Sequence, residues 1–191
     1  SLELVVMVYA GLVNKNIVAQ LQANNSNAIG LSGADANTVI AVKRPVNKLD
    51  FGFVGDIVDV NAGSISVLLN AEFVPVFCAL THDTNGQLFN TNADTIASEV
   101  AIAMSQAYDT TLYYCFEKKG VLRSVTDEDS VIRKINRENY QKLKQDKIVA
   151  DGMLPKLDNC FHALNKELQR VCIGDISMFE PEAQLFTTIT L

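Results

Sequence analysis

The chain has 191 residues, 48% of them apolar, enough to bury a core of the size found in one globular domain. Sixteen Lys and Arg against twenty-two Asp and Glu leave a formal charge of -6, without the basic face that a nucleic acid partner requires. Apolar runs such as Phe73 to Leu80 fall short of the roughly 20 residues of a membrane span, and no basic, apolar leader comes before Ser1, so a soluble, cytoplasmic protein with no membrane partner is expected. Cys78, Cys115, Cys160 and Cys172 are widely spaced, with only His82 and His162 beside them, so no metal-ligand set is expected. Cys78, Cys115 and Cys172 lie in apolar runs and read as small buried hydrophobes.

In chain order, apolar residues at three- and four-residue steps from Leu2 to Leu21 predict one helix over Leu2 to Ala23, ended by Asn24-Asn25-Ser26-Asn27. Ala28 to Leu31 reads as a buried strand, and Thr38 to Lys43 with Phe53 to Val60 as two strands of an edge ribbon. A short helix over Ser64 to Ala71 leads into one continuous apolar strand, Val74 to Leu80, and a polar turn, Thr81 to Gln87. A helix starts at Asn92 or Asp94 and runs to about Ala107, followed by a buried strand over Thr111 to Phe116. Helices over Arg137 to Gln145 and Gly152 to Leu168, a strand over Arg170 to Ile173, a helical turn over Pro181 to Leu185 and an extended end over Thr187 to Leu191 complete the series. Helices alternating with buried strands predict an α/β fold, a three-layer α/β/α sandwich with a mainly parallel central sheet, as one domain over residues 1–191.

In such folds ligands bind where polar segments follow buried strands. Two segments stand out. Asn90-Thr91-Asn92-Ala93-Asp94 puts a carboxylate at a helix start, where it can cap the helix or act in chemistry. Gly152-Met153-Leu154-Pro155-Lys156 puts a lysine at another helix start, against the macrodipole, where it is either solvated surface or a phosphate ligand. A carboxylate can hold a lysine in place while the lysine offsets charge on a transferring phosphoryl group. Glu117-Lys118-Lys119 reads equally as a solvated turn.

Gly11-Leu12-Val13-Asn14-Lys15, Gly30-Leu31-Ser32-Gly33, Gly52-Phe53-Val54-Gly55, Asn90 to Asp94, Lys119-Gly120-Val121-Leu122 and Gly152 to Lys156 occur in the order seen in acetylglutamate kinases. The chain resembles that branch of the amino acid kinase family as far as about Asp175. The resemblance implies that Asn90 holds the amino-acid substrate, that Asp94 organises the catalytic lysines, and that Lys156 faces the transferring phosphoryl group. It implies further that Glu117, Lys118, Lys119, Gly120, Val121, Leu122, Ile148, Val149 and Ala150 line the nucleotide site, although Phe116-Glu117-Lys118 departs from the usual threonine or serine, aspartate and valine. ATP and Mg2+ held mainly through the phosphates are the implied cofactors, and an N-acylated glutamate the implied substrate. A homodimer or higher homo-oligomer, with the first helix at a dimer interface, is implied as well.

The resemblance also implies a strand, a lysine-and-glycine phosphate loop, a second glycine-rich loop and a substrate arginine ahead of the first helix, so the domain is expected to be incomplete at its N-terminus. An N-succinylglutamate kinase, another amino acid kinase, or a non-catalytic binding domain of the same fold are the alternatives. Residues 1–191 alone should then be a poor catalyst: in a coupled assay ADP release should stay near background, and turnover typical of the family would contradict the expectation.

Overall fold

The computed structural model describes residues 1–149, 153–183 and 185–191. Two compact units divide the chain, Ser1–Ala103 and Met104–Leu191.

The first unit opens with helix α1, Leu2–Ala23, a single helix as the periodicity predicts. Its middle, Met7–Val13, is π-helical between α-helical Leu2–Val6 and Asn14–Ala23. This helix corrects the expectation about apolar length: over 22 residues, with a mean hydropathy of 1.5 in an 18-residue window, it is long and apolar enough to cross a membrane. The apolar runs are individually short in sequence, but the helix joins them across Asn14, Lys15 and Asn16. Two of those polar residues have structural partners. Buried Asn14 donates from Nδ2 to the Val76 carbonyl at 2.8 Å, and Lys15 Nζ donates to Asn14 Oδ1 at 3.1 Å and to the Gly30 carbonyl at 3.3 Å.

Strands β1 (Ala28–Leu31) and β4 (Val74–Phe77) pair in parallel. The continuous strand expected over Val74 to Leu80 is broken instead. The Cys78 N–H donates to the Leu31 carbonyl at 2.8 Å and the Leu80 N–H to the Cys78 carbonyl at 2.8 Å, a three-residue turn that redirects the chain. It re-enters as β5 (Leu80–His82) in a second sheet with β2 (Val39–Lys43), β3 (Gly55–Val60) and β6 (Leu88–Asn90), in the order β3-β2-β5-β6. The β2–β3 ribbon is antiparallel, as expected, and lies at one edge. Thr81 and His82 belong to β5 rather than to a turn, because the β5–β6 hairpin closes on Asp83, whose Oδ1 accepts from the N–H groups of Asn85 and Gln87 at 2.8 and 3.1 Å. Helix α2 (Ala62–Asn70) is capped by Asn61, and α3 (Ala93–Ser105) follows β6.

The second unit carries β7 (Thr111–Cys115), β8 (Lys134–Ile135), β9 (Arg170–Gly174) and β10 (Thr187–Ile189) in the order β7-β9-β10-β8. The β7–β9 and β8–β10 pairs are parallel and β9–β10 antiparallel. Strand β7 alternates: Leu112 and Tyr114 are buried while Tyr113 and Cys115 are exposed. The expectation that Cys115 is buried therefore fails, because a period of two sends it to the outer face. A 3-10 turn at Ile176–Phe179, where Asp175 Oδ1 accepts from the Ser177 N–H at 2.9 Å, precedes the helical turn expected over Pro181 to Leu185; there the Ala183 N–H donates to the Glu180 carbonyl at 3.0 Å, and Gln184 lies outside the described residues. Phe179 lies over exposed Tyr113, with ring centroids 5.1 Å apart.

Helices α4 (Arg137–Gln145) and α5 (Leu154–Asn165) pack through an aromatic contact, with Arg137 Nη2 donating to Asn165 Oδ1 at 2.8 Å beside it. Tyr140 stacks on Phe161 with centroids 5.0 Å apart, and its hydroxyl donates to Asp158 Oδ1 at 2.7 Å. Burial and the Asp158 carboxylate push the Tyr140 phenol well above its usual range, so it remains a donor throughout the working pH range. Phe161→Ala should cost about 3–5 kcal/mol through the cavity it leaves, whereas Tyr140→Phe should cost only about 1 kcal/mol. Both are read as shifts in the denaturant midpoint, and equal effects would contradict the view that packing holds these helices together more than the hydrogen bond does.

Candidate functional site

Asn90 ends β6 in the first unit, where its N–H donates to the Phe53 carbonyl at 2.8 Å. The next residue anchors the segment: buried Thr91 Oγ1 lies 2.7 Å from Thr81 Oγ1 and donates to the Gly55 carbonyl at 3.3 Å. Gly55 has to be glycine here, since a Cβ would fall 2.7 Å from Thr91 Oγ1 and 2.8 Å from Phe89 Cβ. Asn92 Oδ1 then accepts from the Thr95 N–H at 3.1 Å and so caps α3. Capping therefore does not account for Asp94. It sits half-buried in the first turn of α3, where a carboxylate complements the helix dipole.

In the second unit Lys156 stands at the third position of α5, half-buried. That helix start carries Pro155, no acidic residue in its first turn and no side-chain cap from Met153. Lys156 Nζ lies 4.6 Å from the ring centroid of buried Tyr114, a cation–π contact that places the ammonium beside the helix N-terminus. A lysine at a helix N-terminus adds to the partial positive charge there, a local field suited to an anion.

The same unit holds a largely apolar cleft of about 140 Å³ lined by Phe116, Lys118, Gly120, Leu122, Ile148 and Val149, with Val125 and Met153 at its edge. Five of the residues expected at the nucleotide site share it. Glu117, Lys119 and Val121 do not line it, and Val121 is buried. Ala150 lies outside the described residues, as do Asp151 and Gly152. Lys118 Nζ is 2.9 Å from Glu128 Oε1 and Lys119 Nζ 2.7 Å from Asp129 Oδ1, so both lysines are tied to the loop that follows. The hydrogen bond to Glu128 raises the Lys118 pKa and the same bond lowers that of Glu128. The pair is lost as pH falls through the lowered carboxyl value and as it rises through the raised ammonium value.

Sequence reasoning missed the residue that shapes this cleft. Thr187 is fully buried; its Oγ1 accepts from the Val121 N–H at 2.8 Å and donates to the Ile132 carbonyl at 2.8 Å. Gly120 leaves room for it, since a Cβ there would lie 2.7 Å from that oxygen. The hint in the sequence is the small residue run Thr187-Thr188, which reads as an ordinary strand end. Among the described residues no three His, Cys, Asp or Glu side chains converge on a metal position.

A sequence profile of the amino acid kinase family matches residues 1–175. The chain belongs to the amino acid kinase family. It is 53% identical over 173 residues to the acetylglutamate kinase of Bacteroides thetaiotaomicron, spanning 91% of this chain and 67% of that protein. Among solved structures, smu.665 of Streptococcus mutans UA159 superposes with a TM-score of 0.80 at 27% identity, covering 99% of this chain and 71% of that one. N-acetylglutamate synthase from Neisseria gonorrhoeae, in complex with coenzyme A and N-acetyl-glutamate, gives a TM-score of 0.80 at 19% identity over 95% of this chain and 42% of its own. The α/β class and the parallel-rich sheets expected from the sequence are those of this amino acid kinase fold. Within it, Thr187→Val should remove two hydrogen bonds and leave two buried backbone groups unpaired, costing about 2–3 kcal/mol; an unchanged urea midpoint would contradict the role given to Thr187.

Proposed function

We propose that this protein transfers the γ-phosphoryl group of ATP to the side-chain carboxylate of N-acetylglutamate, a step of arginine biosynthesis in the cytoplasm. The observation that carries the reading is the 53% identity to a protein named acetylglutamate kinase, over 91% of this chain. In support, residues from two segments far apart in sequence, Phe116, Lys118, Gly120 and Leu122 from one and Ile148 and Val149 from the other, line one cleft in the unit that also carries Lys156.

The chemistry accounts for the residue types. A glutamate side chain has a reference pKa of about 4.3 and is ionised at neutral pH, so it needs no protein base. Its oxygen attacks the γ-phosphorus while the bond to the ADP oxygen breaks; an acyl phosphate forms and ADP leaves with the electron pair. The obstacle is repulsion between two anions, which cations and helix N-termini reduce. In this reading Asn90 holds the amino-acid part of the substrate, Asp94 orients the lysines, and Lys156, at the start of α5, offsets charge on the moving phosphoryl group. Mg2+, held through the phosphates, supplies further charge neutralisation when bound. The cleft lined by Phe116, Gly120, Leu122 and Ile148 takes the nucleotide base, with Lys118 at its side. Exposed Leu4, Met7, Leu12 and Ile17 on α1 support assembly as a homodimer or higher homo-oligomer.

Lys156→Met in the full-length protein should lower kcat by about 10²–10³-fold, the scale of removing one transition-state donor, while ATP binding weakens far less. A variant with kcat within about threefold of the parent would contradict the role of Lys156.

A further inference from the structure

The second unit has a second cleft whose chemistry differs from the first. It has a volume of about 240 Å³ and is lined by Arg123, Lys134, Asn139, Lys142, Asp146 and Ile148, over an apolar floor. Asp146 is the only carboxylate among the described residues that line it. Lys142 is paired with Glu138 at 2.8 Å, but Arg123 and Lys134 have no carboxylate at ion-pair distance among the described residues. The setting is distinctive for a chain of net charge -6: residues 133–147 contain six of its sixteen Lys and Arg against two acids. Like charges gathered in a cleft focus the field there and favour a counter-ion. The donors suit phosphate oxygens, with a guanidinium fork, two ammonium groups and a carboxamide.

Position gives the cleft a second property. Ile148 lines both this cleft and the one shared by Phe116, Gly120 and Leu122. Its N–H donates to the Leu143 carbonyl at 3.0 Å, tying it to the end of α4, the helix that carries Asn139 and Lys142. Lys147, between that helix and Ile148, has a φ of 52°, a left-handed conformation that is costly for a residue with a Cβ.

We propose that this cleft is a binding site for a small phosphate-bearing anion, and that its occupation alters nucleotide affinity through Ile148. The coupling rests on the reading of the neighbouring cleft as the nucleotide site; the anion site itself does not. The volume excludes a nucleic acid strand and suits an anion of pyrophosphate size.

The test uses the full-length protein and pyrophosphate, followed by backbone amide NMR. Saturable shifts are expected at Arg123, Lys134 and Asn139, with affinity at least about tenfold weaker in the double variant Arg123→Gln/Lys134→Gln. Saturating pyrophosphate should change the ATP dissociation constant at least about threefold in the parent and leave it unchanged in the double variant. Equal pyrophosphate affinity in parent and double variant would overturn the site. Shifts at these residues with an unaltered ATP constant would overturn the coupling. If ATP fails to bind the parent while pyrophosphate still shifts Arg123 and Lys134, the nucleotide reading and the coupling both fall and the anion site stands.

Discussion

One buried hydroxyl organises the second unit. Thr187 Oγ1 joins Val121 to Ile132 by two 2.8 Å hydrogen bonds, and so fixes the course of the chain on both sides of the loop that carries Glu128 and Asp129. Where it lies, Gly120 cannot carry a side chain, and the Gly120–Leu122 backbone is held as the wall of a cleft. The ion pairs from Lys118 and Lys119 to that loop are exposed and add geometry more than stability. The constraint is thus a polar contact inside the core, and the charged contacts outside it follow the path it sets.

Much of the fold was legible because helix and strand periods differ. Arg137–Gln145 and Ala28–Leu31 match their predicted spans, since the first has a polar outer face with Tyr140 and Leu143 buried and the second is a short apolar run between turn residues. The break after Phe77 was not legible. Val74 to Leu80 is apolar throughout, and only the hydrogen bonds of Cys78 and Leu80 divide it between two sheets. Cys115 was misplaced because an apolar run hides the alternation that sends every second residue outward.

The candidate site divides in the same way. Motif order placed Lys118, Gly120, Leu122, Ile148 and Val149, which share one cleft although the two segments lie far apart in the chain. It could not tell which residue caps the helix; the structure gives the cap to Asn92 and leaves Asp94 in the first turn. The Lys156–Tyr114 contact and the hydrogen bonds of Thr187 depend on pairings distant in sequence, which no local pattern reports.

A carboxylate nucleophile needs no base but needs neutralised charge, so the proposed reaction calls for cations rather than a histidine base. The most direct measurement is hydroxylamine trapping with the full-length protein, ATP and N-acetylglutamate. Phosphoryl transfer to the carboxylate predicts a hydroxamate formed in step with ADP. ADP release without hydroxamate, or ATP binding with no turnover of N-acetylglutamate, would contradict it.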